Sequence, residues 1–254
     1  MGYYDYGFKP YVPVGKRKEI ARKKMEQLKK KNPNLAPVII EGNKIAESWW
    51  GISWNKNLER YSDYANRIGR GRSYVRQGAI LDLQITKGKI TALVQGSRPS
   101  PYEIDISIKP LSKDNWDAIR TKCEGKMESL ASLLEGEFPK ALGEIFTEKG
   151  RGLFPEPKEI KFKCSCPDWA SMCKHIAATL FGVGARLDVD PLLFFILRNS
   201  DVNDLVSQAV MEKSKKMIKK SETKSKRVIE DADVSEMFGI NVEPEKGKKR
   251  KSKK

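Results

Sequence analysis

Histidine is all but missing from this chain: His175 is the only one in 254 residues. Cysteine is scarce as well, with four. No uninterrupted apolar run approaches the roughly 20 residues that a membrane-spanning helix needs. The start, Met1-Gly2-Tyr3-Tyr4-Asp5-Tyr6, lacks the basic-then-apolar layout of a secretion signal. No Gly-Lys-Ser/Thr loop is present to cradle a phosphate. These absences argue against a membrane span, an exported disulfide framework and a P-loop nucleotide site, and the expected compartment is the cytoplasm.

The few rare residues are concentrated. Three of the four cysteines and the lone histidine fall in Cys164-Ser165-Cys166-Pro167-Asp168-Trp169-Ala170-Ser171-Met172-Cys173-Lys174-His175. Cysteine and histidine at such spacing suggest a metal site. Three thiolates and one imidazole supply the four tetrahedral ligands that Zn²⁺ prefers, and with every corner filled by protein the expected site is structural, not catalytic. Glu159 to Cys164 alternates polar and apolar residues as a strand does, which would aim Cys164 and Cys166 at one point. Ile176 to Phe181 has helical spacing, and residues i and i+2 of a helix do not share a face, so Cys173 and His175 should straddle its start. Lys161, Lys163 and Lys174 are placed to offset the net negative charge of three thiolates on a divalent ion. Zinc in small units of this kind contributes about 10–16 kcal/mol of apparent binding free energy, enough to make the segment fold only with metal. Cys123 stands apart and is expected to be a small buried hydrophobe.

The net charge of +16 is held at the ends. Residues 1–46 carry 11 Lys and Arg against 4 Asp and Glu, and residues 212–254 carry 15 against 8. The middle is close to balance. Lys16-Arg17-Lys18, Arg22-Lys23-Lys24 and Lys29-Lys30-Lys31 make a basic, amphipathic or loosely helical arm. Lys248-Lys249-Arg250-Lys251 belongs to a run too polar to pack, expected to be disordered. Such arms suit phosphate contacts or serve only solubility.

The expected fold class is α+β. Residues 1–35 form the arm, 36–150 an α+β domain, 151–200 the zinc-clamped strand–helix finger, and 201–254 a helix grading into a basic disordered tail. Pro37 to Ile40 suggests a short strand, and residues 54–68 an amphipathic helix through Leu58, Tyr61, Tyr64, Ala65 and Ile68. Trp49, Trp50 and Trp54 are expected to anchor the core. Ile80–Ile85, Ile90–Val94 and the alternating Tyr102–Ile108 predict an antiparallel meander. Helices follow: one capped by Ser112, one bearing Met127, Leu130, Leu133 and Leu134, and one bearing Leu142, Ile145 and Phe146. Asp190-Pro191 should open another over Leu192–Leu197. An apolar island at 232–242 interrupts the tail and is a candidate docking segment.

Arg67, Arg70, Arg72 and Arg76, interleaved with Gly69, Gly71 and Tyr74, are the folded region's candidates for phosphate contact. They could equally be surface-loop arginines paired with nearby carboxylates.

The ligand pattern, Cys-x-Cys then Cys-x-His, resembles the SWIM zinc finger family, in particular its bacterial branch. Trp49-Trp50-Gly51, Gly69-Arg70-Gly71-Arg72-Ser73-Tyr74, Gln95-Gly96-Ser97, Gly152-Leu153-Phe154-Pro155, Gly184-Ala185-Arg186-Leu187-Asp188 and Met237-Phe238-Gly239-Ile240 carry the likeness beyond the finger. The resemblance implies a structural Zn²⁺ held by Cys164, Cys166, Cys173 and His175. It also implies binding to DNA or protein, with a helicase-like ATPase as a partner.

The function expected is therefore a non-catalytic zinc module that binds nucleic acid, a protein partner or both. The alternatives are a pure protein adaptor and a metal-dependent nuclease using Asp82, Glu103 and Asp105. With the one histidine spent on metal, none remains for acid–base work.

Overall fold

Apolar residues at every second position build one antiparallel sheet. In the computed structural model, β1 (Ile80–Thr86), β2 (Lys89–Val94), β3 (Tyr102–Ile108) and β4 (Ile160–Cys164) hydrogen-bond in that order. Ile90, Ala92, Val94, Tyr102, Ile104, Ile106 and Ile108 point into the core, while Lys89, Glu103 and Ser107 lie on the wet face. The structure describes residues 12–59, 65–124, 126 and 140–222. The expected meander of three strands gains a fourth from the finger segment, because Ile108 pairs with Ile160 and Ile104 with Cys164. Two compact units divide the chain after Val210, so the sheet and the Cys/His segment share the first.

Eight α-helices are described: α1 (Val14–Lys31), α2 (Trp49–Glu59), α3 (Ala65–Arg76), α4 (Lys113–Lys122), α5 (Lys140–Thr147), α6 (Lys174–Val189), α7 (Leu193–Leu197) and α8 (Val202–Glu222). Ser112 caps α4 as expected, its Oγ accepting from the Asn115 N–H at 3.3 Å. α6 is the central element, packed against α2, α3 and the inner sheet face. The tryptophans do anchor the core. Trp54 donates its indole N–H to the Leu180 carbonyl at 2.8 Å, and Trp50 stacks on Phe146 with centroids 5.6 Å apart.

Three expectations need correcting. Residues 36–40 are not a strand. Two bonds, Val38 N–H to Ile80 O and Leu83 N–H to Ala36 O, lay them beside β1, but Pro37 has no N–H to extend a ladder. The helix expected over 54–68 is instead α2, which begins at Trp49, followed by α3 from Ala65. Asp190 closes α6, although its Oδ1 does accept from the Leu192 N–H at 2.9 Å ahead of α7.

The helix expected around Met127–Leu134, the island at 232–242 and the basic run with Lys248, Lys249, Arg250 and Lys251 lie outside the described residues. Among the described residues no helix is long and apolar enough to cross a membrane.

Candidate metal centre

The site is assembled where β4 ends and α6 begins. Alternation along β4 turns Ile160, Phe162 and Cys164 to one side and leaves Lys161 and Lys163 exposed on the other. Ser165 prolongs the pairing, donating its N–H to Glu103 O and accepting the Glu103 N–H at its Oγ, both at 3.0 Å. Cys166 therefore follows Cys164 on the inner side. The chain then turns through Pro167-Asp168. Asp168 Oδ1 accepts from Ala170 N–H at 3.3 Å and from Arg67 Nη2 at 3.1 Å, which ties this turn to α3. Cys173 is the N-cap of α6, extended at φ −70° and ψ 167°, and His175 lies in the first turn. The strand-then-helix-start arrangement expected from the spacing is what forms.

The four ligand atoms lie within 4.8 Å of one another, and His175 Nδ1 is 3.9 Å from both Cys164 Sγ and Cys173 Sγ. Tetrahedral Zn²⁺ with Zn–S about 2.3 Å and Zn–N about 2.0 Å would set S···N edges of about 3.5 Å. The cluster is thus one ion wide, and its three thiols and one imidazole fit zinc, as they fit other thiophilic ions. No cysteine is in a disulfide.

Local electrostatics already favour a thiolate. The Cys164 thiol donates to Cys173, and the His175 ring and the Ile176 N–H add to this, so Cys173 is held down to about 4 against burial. Cys164 is correspondingly held well above its ordinary value by that same hydrogen bond and by burial, and Cys166 is raised chiefly by burial. Lys161 and Lys163, expected to offset the thiolates, project from the opposite side of the strand; Lys174 is partly buried at the first position of α6. Cys123 is buried at the end of α4, which pushes its thiol up to about 11. Metal-loaded protein should then show no reacting ligand thiol. Chelation should release the three ligand cysteines with Cys173 ahead of Cys164 and Cys166, and Cys123 should react only on unfolding. A fourth rapid thiol before denaturant would count against its burial.

The arginine segment is helix, not loop. Gly71 makes this possible by letting α3 lie directly on α6: a Cβ there would fall 2.6 Å from the Ala177 Cβ and 3.0 Å from its carbonyl carbon. Helix packing overrides the poor propensity of two glycines. Arg67 pairs with Asp168, and Arg72 pairs with Glu59 while lying over the Phe181 ring. Arg76 Nε donates to Asn43 O at 3.0 Å, and Arg70 is exposed. Two of the four arginines therefore do meet carboxylates.

The carboxylates weighed for catalysis, Asp82, Glu103 and Asp105, line one groove on the outer sheet face, and two of them are already engaged. Asp82 Oδ1 accepts from the Ala36 N–H and Gln84 Nε2, and Asp105 pairs with Lys89 at 2.7 Å. Among the described residues, the Cys/His group is the only cluster of its kind.

Sequence reasoning missed the groups that surround His175. Tyr102 stacks on the imidazole at 4.2 Å and 28°, and Tyr74 meets it edge-on at 5.4 Å. Burial raises the Tyr74 hydroxyl above its ordinary value. Tyr102 was legible only as an inward strand residue, because its contact with His175 spans distant parts of the chain.

No family model matches the chain. It is 38% identical over 164 residues to an uncharacterized protein of Mycobacterium tuberculosis, Rv2102, an alignment spanning 64% of this chain and 59% of that protein. The chain thus spans less than two thirds of that relative's length. No solved structure matches.

Proposed function

We propose that this chain is a non-catalytic zinc-binding module of the SWIM type that binds nucleic acid, DNA in particular, and docks on a protein partner such as a helicase-like ATPase. The closed ligand set carries the metal part of this: Cys164, Cys166, Cys173 and His175 converge with no fifth group of the kind beside them among the described residues. A filled tetrahedron leaves no position for substrate, so the metal would organise a surface and not perform chemistry.

Cationic surface supports the nucleic-acid part. The outer side of α1 exposes Lys16, Lys18, Lys29, Lys30 and Lys31. Lys44, Lys56, Arg72 and Arg76 line a groove of about 280 Å³ between α2, α3 and the 43–46 segment, with Glu59 as the one acid in it. Arg67, committed to Asp168, would act by holding the metal loop and not by touching phosphate.

The test is affinity for labelled DNA and RNA against salt. Each phosphate contact contributes about 0.9 to the log–log slope on duplex DNA and about 0.7 on single strands. Lys56→Ala with Arg70→Ala, both at exposed positions, should flatten the slope by about one to two units and leave thermal stability unchanged. A wild-type affinity indifferent to salt would reject phosphate contact. Partner capture that survives nuclease treatment would assign the protein-docking role independently of nucleic acid.

A further inference from the structure

A metal-ligating histidine nearly always donates its second ring N–H to an oxygen, and that bond fixes the ring. His175 departs from this. Its Nδ1 faces the thiols, while Nε2 is buried and makes no hydrogen bond among the described residues. Gly96 closes that side: a Cβ there would lie 3.1 Å from Nε2 and 2.2 Å from Tyr102 Cε2. Something other than a hydrogen bond must hold the imidazole plane.

The Tyr102 ring does so on one face, and Tyr102 is itself covered. The Arg98 guanidinium carbon sits 4.1 Å from the Tyr102 centroid, so guanidinium, phenol and imidazole form one column. Arg98 Nη2 also donates to Ser165 Oγ at 3.1 Å, and Ser165 is the residue between Cys164 and Cys166. Arg98 thus touches both halves of the site, the Cys-x-Cys turn by hydrogen bond and the histidine through Tyr102. Its own position is locked. Nε donates to Ser100 O and Nη2 to Pro101 O, each at 3.2 Å, and buried Gln95 holds the Arg98 carbonyl at 2.8 Å.

We infer that Arg98 is a positioning residue for the metal centre, setting the plane of the His175 imidazole through Tyr102 and the Cys164–Cys166 turn through Ser165. This rests on the metal-binding part of the proposed function and goes beyond its four ligands. A planar fork that stacks and donates at once is a task for arginine; lysine supplies only the charge.

The experiment is zinc competition against a chromophoric chelator, with cobalt-substituted full-length protein read by its visible absorption bands. Arg98→Ala should weaken zinc binding about 10–100-fold, the usual effect of losing a group that orients a ligand, and should shift the cobalt bands. Arg98→Lys should leave the bands shifted. Tyr102→Leu should weaken binding similarly, and adding Arg98→Ala to it should cost little more, since the two act as one unit. Wild-type zinc affinity and unshifted bands in Arg98→Ala, full rescue by lysine, or additive effects of the pair would each overturn the inference while leaving the metal site standing. A wild-type chain that takes up neither zinc nor cobalt would overturn both.

Discussion

Arg198→Ala is expected to lower stability by about 3–5 kcal/mol, the cost of breaking a buried ion pair by removing one partner. Arg198 is 1% exposed. Its Nη1 donates to Lys109 O at 2.8 Å and its Nη2 to Glu159 Oε1 at 3.0 Å, while its own carbonyl accepts the Leu111 N–H. Glu159 is used twice more: Oε2 accepts the Glu156 N–H at 2.7 Å, and its carbonyl accepts the Lys109 N–H at 2.9 Å. One guanidinium therefore joins the end of α7, the exit from β3 and the turn that feeds β4. Removing it leaves a cavity and takes the partner from a half-buried carboxylate and a carbonyl. For a chain of this size the melting point should fall by about 6–20 °C. Arg198→Lys should recover little, because an ammonium cannot serve both acceptors in the plane of the fork. Glu159→Gln keeps the shape and removes the charge, so it should cost less. Urea midpoints of the three variants decide it, and a loss below about 1 kcal/mol in Arg198→Ala would show the pair to behave as an exposed one.

What was legible in the sequence follows the range of each interaction. The strands at 80–108 were readable because burial of one sheet face writes itself as alternation. The ligands were readable because the period of a strand and the start of a helix are local geometry. The place of β4 was not, since Ile160 pairs with Ile108 across the α4 and α5 region, and alternation identifies a strand without naming its neighbour. The arginine helix was obscured for a related reason. Glycine and arginine suggest an open loop locally, and only the approach of α3 to Ala177 explains why glycine is at 71. Four of the scattered phrases that carry the family resemblance, those holding Gly51, Gly71, Gly96 and Gly184, acquire a common cause in space. Gly51 lies against Gly184 and Asp188, Gly71 against Ala177, and Gly96 against Tyr102 and His175. Asp188 in turn accepts from the Ser48 N–H and hydroxyl at the start of α2. These segments are the packing shell of α6, the helix that carries His175.

Stripping the metal should be the other large effect, and the fold narrows what it does. From sequence alone, residues 159–198 are expected to fold only with metal. Yet β4 is hydrogen-bonded to β3 along its length, and α6 buries eleven residues in the core. Those contacts do not depend on an ion. The turn between Cys166 and Cys173 pairs with no strand and lies outside any helix: the Arg67–Asp168 pair, the Ala170 N–H to Asp168 bond and buried Ala170 and Met172 help to hold it, with Trp169 80% exposed. Chelation should therefore speed amide exchange from Cys164 through Ile176 and leave β2 and β3 protected. The lost stabilisation is set by mass action, about 4 kcal/mol when free metal exceeds its dissociation constant a thousandfold. That corresponds to a fall of about 8–16 °C in melting point. Cys166→Ser should reproduce it and make the protein indifferent to chelator. Acid should do so gradually, because binding must expel the protons that Cys164 and Cys166 hold tightly without metal, so the gap between loaded and stripped protein shrinks as pH falls. Equal acceleration of exchange across β2, β3 and α6 would instead mean that the core around α6 forms only when the ion is bound, and the ion would then be a condition of folding for the whole first unit.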